Sequence, residues 1–110
     1  MEAIEDYTIF YPDPIKLSVG EYVEVIKSEK ISSDWYGWHF CKDQNGKEGW
    51  VSEEYIQINE MTGKVIKTYT AKEINCQLGE KVEIVHESFG WVWCKKTSGE
   101  EGWLPKNIFK

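Results

Sequence analysis

The chain has 110 residues, a formal net charge of −6, 41% hydrophobic and 29% charged residues, which describes one small folded domain or two very small ones and excludes disorder. No apolar run approaches the roughly 20 residues of a membrane span, and the acidic opening MEAIEDYTIF has no secretory pattern, so a cytoplasmic protein with no membrane contact is expected. All 13 basic residues are Lys and the pI is near 4.9, so no nucleic-acid partner is expected.

In chain order, residues 1–9 mix apolar and acidic residues, and Pro12, Pro14 and Gly20 punctuate a long first loop. Tyr22-Val23-Glu24-Val25 alternates with period two, as a half-buried strand does. Asp43-Gln44-Asn45-Gly46 is turn chemistry between two further strands. The pattern then starts again. VGEYVEVI at residues 19–26 returns as LGEKVEIV at 78–85, GWHFCK at 37–42 as GWVWCK at 90–95, and GKEGWV at 46–51 as GEEGWL at 99–104. The spacing between equivalent residues is 59 in the first pair and 53 in the others, so the first copy holds six extra residues between Ile26 and Gly37. The joint near residues 57–63 is too short for a free tether. Copies of about 50–55 residues are marginal alone, so the two are expected to depend on each other. The expected division is 1–57 and 58–110.

Strand parity sorts the side chains. Cys41 and Cys94 are small buried-type residues, which turns His39 and Val92 inward with them and turns Trp38, Phe40, Trp91 and Trp93 outward. Val51 and Leu104 as core residues turn Trp50 and Trp103 outward in the next strand. None of the six Trp is then expected in a core. Either they serve an external ligand or they cover contacts within the protein. Cys76 occupies the place of Leu17. Three cysteines without an export pattern argue against a disulfide framework. His39 and Cys41 share a strand face, but zinc needs about four ligands and Val92 replaces the histidine in the second copy, so no metal is expected. No Gly-rich phosphate loop, nucleophile elbow or HExxH is present, so neither a cofactor nor an enzymatic activity is expected. Residues 1–56 carry 12 acidic and five basic residues, net −7, against seven and eight, net +1, in 57–110.

These strings resemble the Src homology 3 (SH3) family, twice. Ala3-Ile4-Glu5-Asp6-Tyr7 resembles its ALYDY opening, Leu17 with Gly20-Glu21 its diverging turn, Gly37-Trp38 its GWW segment, Gly49-Trp50-Val51-Ser52 its G-aromatic-apolar-Pro step, and Tyr55-Ile56 its closing NYV. In the second copy Val65 to Tyr69 replaces ALYDY, and Gly102-Trp103-Leu104-Pro105 with Asn107-Ile108-Phe109 closes the match. The strings YPDPI, GWxxC and GKEGWV resemble a bacterial branch. The resemblance implies an all-β chain of two tandem SH3-like small β-barrels. It implies a non-catalytic module that docks an extended, Pro-rich protein or peptide segment in an aromatic groove flanked by acids. Carried onto this sequence, the ligand-binding residues are Tyr7, Asp13, Asp34, Trp38, Trp50 and Tyr55 in the first copy, whose groove is expected to lead with Trp38 as its main contact, and Tyr69, Trp91, Trp103 and Pro105 in the second. Departures are Glu5, Ser52 and Glu54 in the first copy and Lys67 and Ile108 in the second. Two other readings stay open: a cell-wall or glycan binder, and a regulatory or assembly domain whose aromatics are used in inter-domain or homo-oligomer contacts.

Overall fold

The computed structural model describes residues 1–9, 13–28 and 36–109. It is all-β: β1 (Lys16–Leu17), β2 (Tyr22–Ser28), β3 (Trp38–Lys42), β4 (Glu48–Ser52), β5 (Ile56–Asn59), β6 (Thr62–Val65), β7 (Tyr69–Thr70), β8 (Val82–Ser88), β9 (Trp91–Lys96) and β10 (Glu101–Pro105), with 3₁₀ turns at Glu53–Tyr55 and Lys106–Ile108. Among the described residues no helix is long and apolar enough to cross a membrane.

The strands form a five-stranded sheet in the order β4-β3-β2-β6-β5, a three-stranded sheet β10-β9-β8, and the pair β1-β7. These are open sheets; none closes on itself as the expected barrels would. The backbone divides into two compact units, Pro14–Ala71 and Met1–Asp13 with Lys72–Lys110. The first repeat's opening segment therefore lies in one unit and the rest of that repeat in the other. This partition differs from the expected cut at 57/58.

The cause is local. Only Glu60 and Met61 separate β5 from β6, and Asn59 pairs with Thr62 across the turn. So tight a reversal lays the next strand directly back on β5. Thus β6, which belongs by sequence to the second repeat, pairs Ile56 with Val65 and also takes the edge of β2, Tyr22 against Lys64. The opening strand of the second repeat is thereby used up, and residues 1–9 fill the equivalent place in the other unit.

Several backbone bonds of the two units correspond. Val65 N–H donates to Glu21 O and Gly20 N–H to Val65 O; Ala3 N–H donates to Glu80 O and Gly79 N–H to Ala3 O. Ile66 N–H donates to Tyr55 O as Ile4 N–H does to Ile108 O. Leu17 pairs with Tyr69, and Tyr7 bridges Cys76. Pairing satisfies N–H and C=O groups that would otherwise be stranded at a sheet edge.

Each unit buries one apolar face. In Pro14–Ala71 the core holds Ile15, Leu17, Val23, Val25, Cys41, Val51, Ile56 and Val65. The other core holds the counterparts Ile74, Cys76, Val82, Cys94, Leu104 and Phe109, with Val92 and Ala3. β2 and β8 each carry a bulge, between Val25 and Lys27 and between Ile84 and His86, which turns Ile26 and Val85 out to solvent. Gly49 and Gly102 are fixed by close approach: a Cβ on either would sit 2.7 Å from the Cγ2 of Ile15 or Ile74. Exchange of the opening segments also redistributes charge. Pro14–Ala71 holds nine acidic and seven basic residues, net −2, and the other unit ten and six, net −4.

A fragment of residues 14–71 contains every strand of its unit, whereas 1–57 lacks β6 and β7. The first should melt cooperatively in a thermal scan and the second should not. A 1–57 fragment that melts like 14–71 would contradict the strand assignment.

Candidate functional site

The aromatic residues expected in one groove are divided between the units. Tyr7 lies in the unit containing Trp91, Trp103 and Pro105, while Trp38, Trp50, Tyr55 and Tyr69 lie in Pro14–Ala71. Asp13 is exposed, and Asp34 and Trp35 lie outside the described residues.

In Pro14–Ala71, Phe40 and Trp50 oppose each other across β3 and β4 and meet edge to face, with ring centroids 5.1 Å apart. Tyr55, carried on the 3₁₀ turn that Ser52 caps by accepting from Glu54 N–H, packs on Tyr69 at 4.7 Å. The Tyr69 hydroxyl donates to Trp50 O at 2.8 Å. Burial, then the Glu54 carboxylate, raises the Tyr55 phenol above its ordinary range. Trp38 shares the strand face of Phe40, as parity requires, but is only 4% exposed. The expectation that it stands open to solvent is therefore corrected: at that end of β3 the outer face is covered.

In the other unit, Trp91 pairs with Pro105 across β9 and β10. The Tyr7 ring meets Trp91 edge to face at 6.1 Å. Tyr7 donates its hydroxyl to Glu73, a carboxylate largely withdrawn from solvent. Trp91, Pro105 and Tyr7 all remain partly exposed. Trp93 packs edge to face on Trp103 at 5.4 Å and donates its indole N–H to Glu101. Trp103 is 3% exposed, a second correction to the outward count. Residues 72–74 pass beside it: Trp103 N–H donates to Lys72 O, and Glu73 bridges Trp103 in parallel sense. Glu73 and Phe40 were not among the expected site residues. Glu73 lies in a segment with no sequence signal; Phe40 stood in the outward parity class without a family counterpart.

Two polar features break the repeat. His39 is buried, its Nδ1 lies 2.7 Å from the Ser28 hydroxyl, and its Nε2 is 3.6 Å from Glu53 Oε1, beyond hydrogen-bond reach. Nε2 is buried and without a hydrogen-bond partner. Val92 takes this place in the other unit. Lys96 lies between Glu80 and Glu100 at 3.3 and 3.4 Å. Burial works to lower its ammonium pKa, but these two carboxylates outweigh it and the net shift is upward.

The thiols face inward as parity requires. Cys41, Cys76 and Cys94 are free and buried. Burial pushes Cys41 up to about 12 and Cys94 to about 11, and raises Cys76 as well. A thiol with a raised folded-state pKa keeps its full stabilising share below the unfolded value of 9.0 and loses it as pH climbs toward the folded value. Stability should thus fall between pH 9 and 12, and a Cys41→Ala variant should show a shallower fall. All three thiols should label slowly at neutral pH and quickly in denaturant. Fast native labelling of Cys41 or Cys94 would contradict their inward placement.

No solved structure matches the chain. A family model described as "Variant SH3 domain" matches residues 1–59, which begin with the segment that pairs outside Pro14–Ala71 and end on the last residue of β5. Together with the all-β order of elements, that match over more than half of the sequence establishes that the chain belongs to the variant SH3 domain family.

Proposed function

We propose that each compact unit is an SH3-like domain completed by the opening strand of the other repeat, and that the chain is a non-catalytic module binding an extended protein segment. SH3 domains are generally non-catalytic modules that bind protein or peptide partners. The observation that carries the finer reading is the meeting of Tyr7, Trp91 and Pro105 in one partly exposed cluster, with Glu73 behind it. Aromatic rings beside a proline suit the ridges of a polyproline-type segment. The cluster of Pro14–Ala71, made of Phe40, Trp50, Tyr55 and Tyr69, is a second surface of the same chemistry but has Trp38 buried. The main ligand surface is therefore assigned to the unit holding Trp91. Free buried thiols suit a reducing, cytoplasmic-type compartment.

One observation favours an assembly role instead. Trp38 and Trp103 are 4% and 3% exposed, so a third of the tryptophans are spent on packing. An account in which all the aromatics are architectural would leave no ligand surface.

Titration with Pro-rich peptides of about ten residues carrying a flanking Lys or Arg, followed by tryptophan fluorescence, separates these readings. Trp91→Ala should weaken binding by roughly thirtyfold, equivalent to about 2 kcal/mol at a central aromatic contact. Phe40→Ala should cost less. Binding unchanged in folded Trp91→Ala, or no binding of any such peptide, would overturn the groove assignment.

A further inference from the structure

We propose that the unit built from Met1–Asp13 and Lys72–Lys110 is a strand-acceptor site, and that a second copy of this chain fills it with its own residues 1–9 to give a strand-exchanged dimer. The argument starts from how residues 1–9 are held. Ala3 N–H donates to Glu80 O, Ile4 N–H to Ile108 O, and Tyr7 and Cys76 exchange N–H···O bonds. Asp6 accepts from Leu78 N–H, and Asn75 accepts from Ile9 N–H. Backbone bonds of this kind read an extended strand and little of its identity.

Apolar anchorage is slight by comparison. Within residues 1–9 only Ala3 is fully buried and Tyr7 is partly buried against the core, while Met1 and Ile4 are about half exposed at 54% and 48%. The equivalent strand in Pro14–Ala71 is held harder, with Val65 at 0% and Tyr69 at 4%, and is fastened to β5 through the two-residue turn. Residues 1–9 reach the remainder of the chain through the single crossing at Asp13–Pro14, where a residue preceding proline is biased to extended backbone. So residues 1–9 can leave their place without disturbing any other strand of the sheets, and the turn-locked strand cannot. The place left open presents the unpaired edge of residues 76–80 and 108–109, which another extended strand would satisfy. The best fit is the segment already shaped to it: a small residue at position 3 to sit at 1% exposure, and a tyrosine at position 7 to reach both Trp91 and Glu73. The partner copy would thus supply one residue of the aromatic cluster.

An intramolecular strand competes at an effective concentration on the order of 1 mM, so exchange needs copies at comparable density. The test uses the full chain at about 1 mM, warmed through its melting transition and cooled. Size-exclusion chromatography with light scattering should show a species of twice the 12.9 kDa chain mass, a substantial fraction of the total, that persists on dilution. An equal mixture of isotope-labelled and unlabelled chains should then give filtered contacts between Ala3 of one copy and Phe109 of the other. A chain that stays monomeric after this treatment overturns the proposal. So does a dimer in which the Ala3 to Phe109 contact is confined to single copies, because the two chains would then meet elsewhere.

Discussion

Two residues between β5 and β6 govern this molecule. Glu60 and Met61 leave no length for the chain to travel before it must reverse, and Glu60 accepts a φ of 59° to make the turn. For a residue with a side chain that left-handed backbone costs about 1 kcal/mol relative to glycine. It is offset by the ladder the turn closes, Ile56 to Val65 through Asn59 to Thr62. Once β6 is committed to β5 and β2, the second repeat has no opening strand of its own. An open edge there would leave several backbone groups unpaired, at roughly 1–3 kcal/mol for each that is also buried. Residues 1–9 close it. The pairing of each unit, its core, its net charge and the membership of its aromatic cluster all follow from that one short turn.

Much of this was legible in the sequence. The doubling of VGEYVEVI as LGEKVEIV fixed two strands of equal character, and β2 and β8 run over those residues. The alternation around Cys41 and Cys94 placed His39, Val92 and both thiols inward, where they lie. The shortness of the joint was visible too. What could not be read was which opening strand serves which repeat. In sequence pattern Ala3 and Tyr7 match Val65 and Tyr69, an apolar and an aromatic residue four apart, and both sockets present similar backbone bonds. Local pattern carries no preference between two such arrangements; connection length decides, through a reversal that involves only two residues. The burial of Trp38 and Trp103 escaped for a related reason. Parity names the face a side chain takes, and for a strand whose outer face is covered that face is not solvent.

The departures from repeat symmetry bear on function. Tyr55 gives way to buried Ile108, and partly exposed Trp91 stands where Trp38 is buried. His39 replaces valine and brings a buried nitrogen, Nε2, that lacks a hydrogen-bond partner. Two units with similar backbone bonds thus differ in the aromatic and polar residues they carry.

The exchange itself is open to direct observation through scalar couplings across hydrogen bonds, which report donor and acceptor pairs in solution. In a uniformly labelled full chain under dilute conditions, the account predicts a coupling from the Ala3 amide nitrogen to the Glu80 carbonyl carbon and from the Val65 amide nitrogen to the Glu21 carbonyl carbon. Couplings from Ala3 to Glu21 and from Val65 to Glu80 would place each opening strand in its own repeat and contradict it.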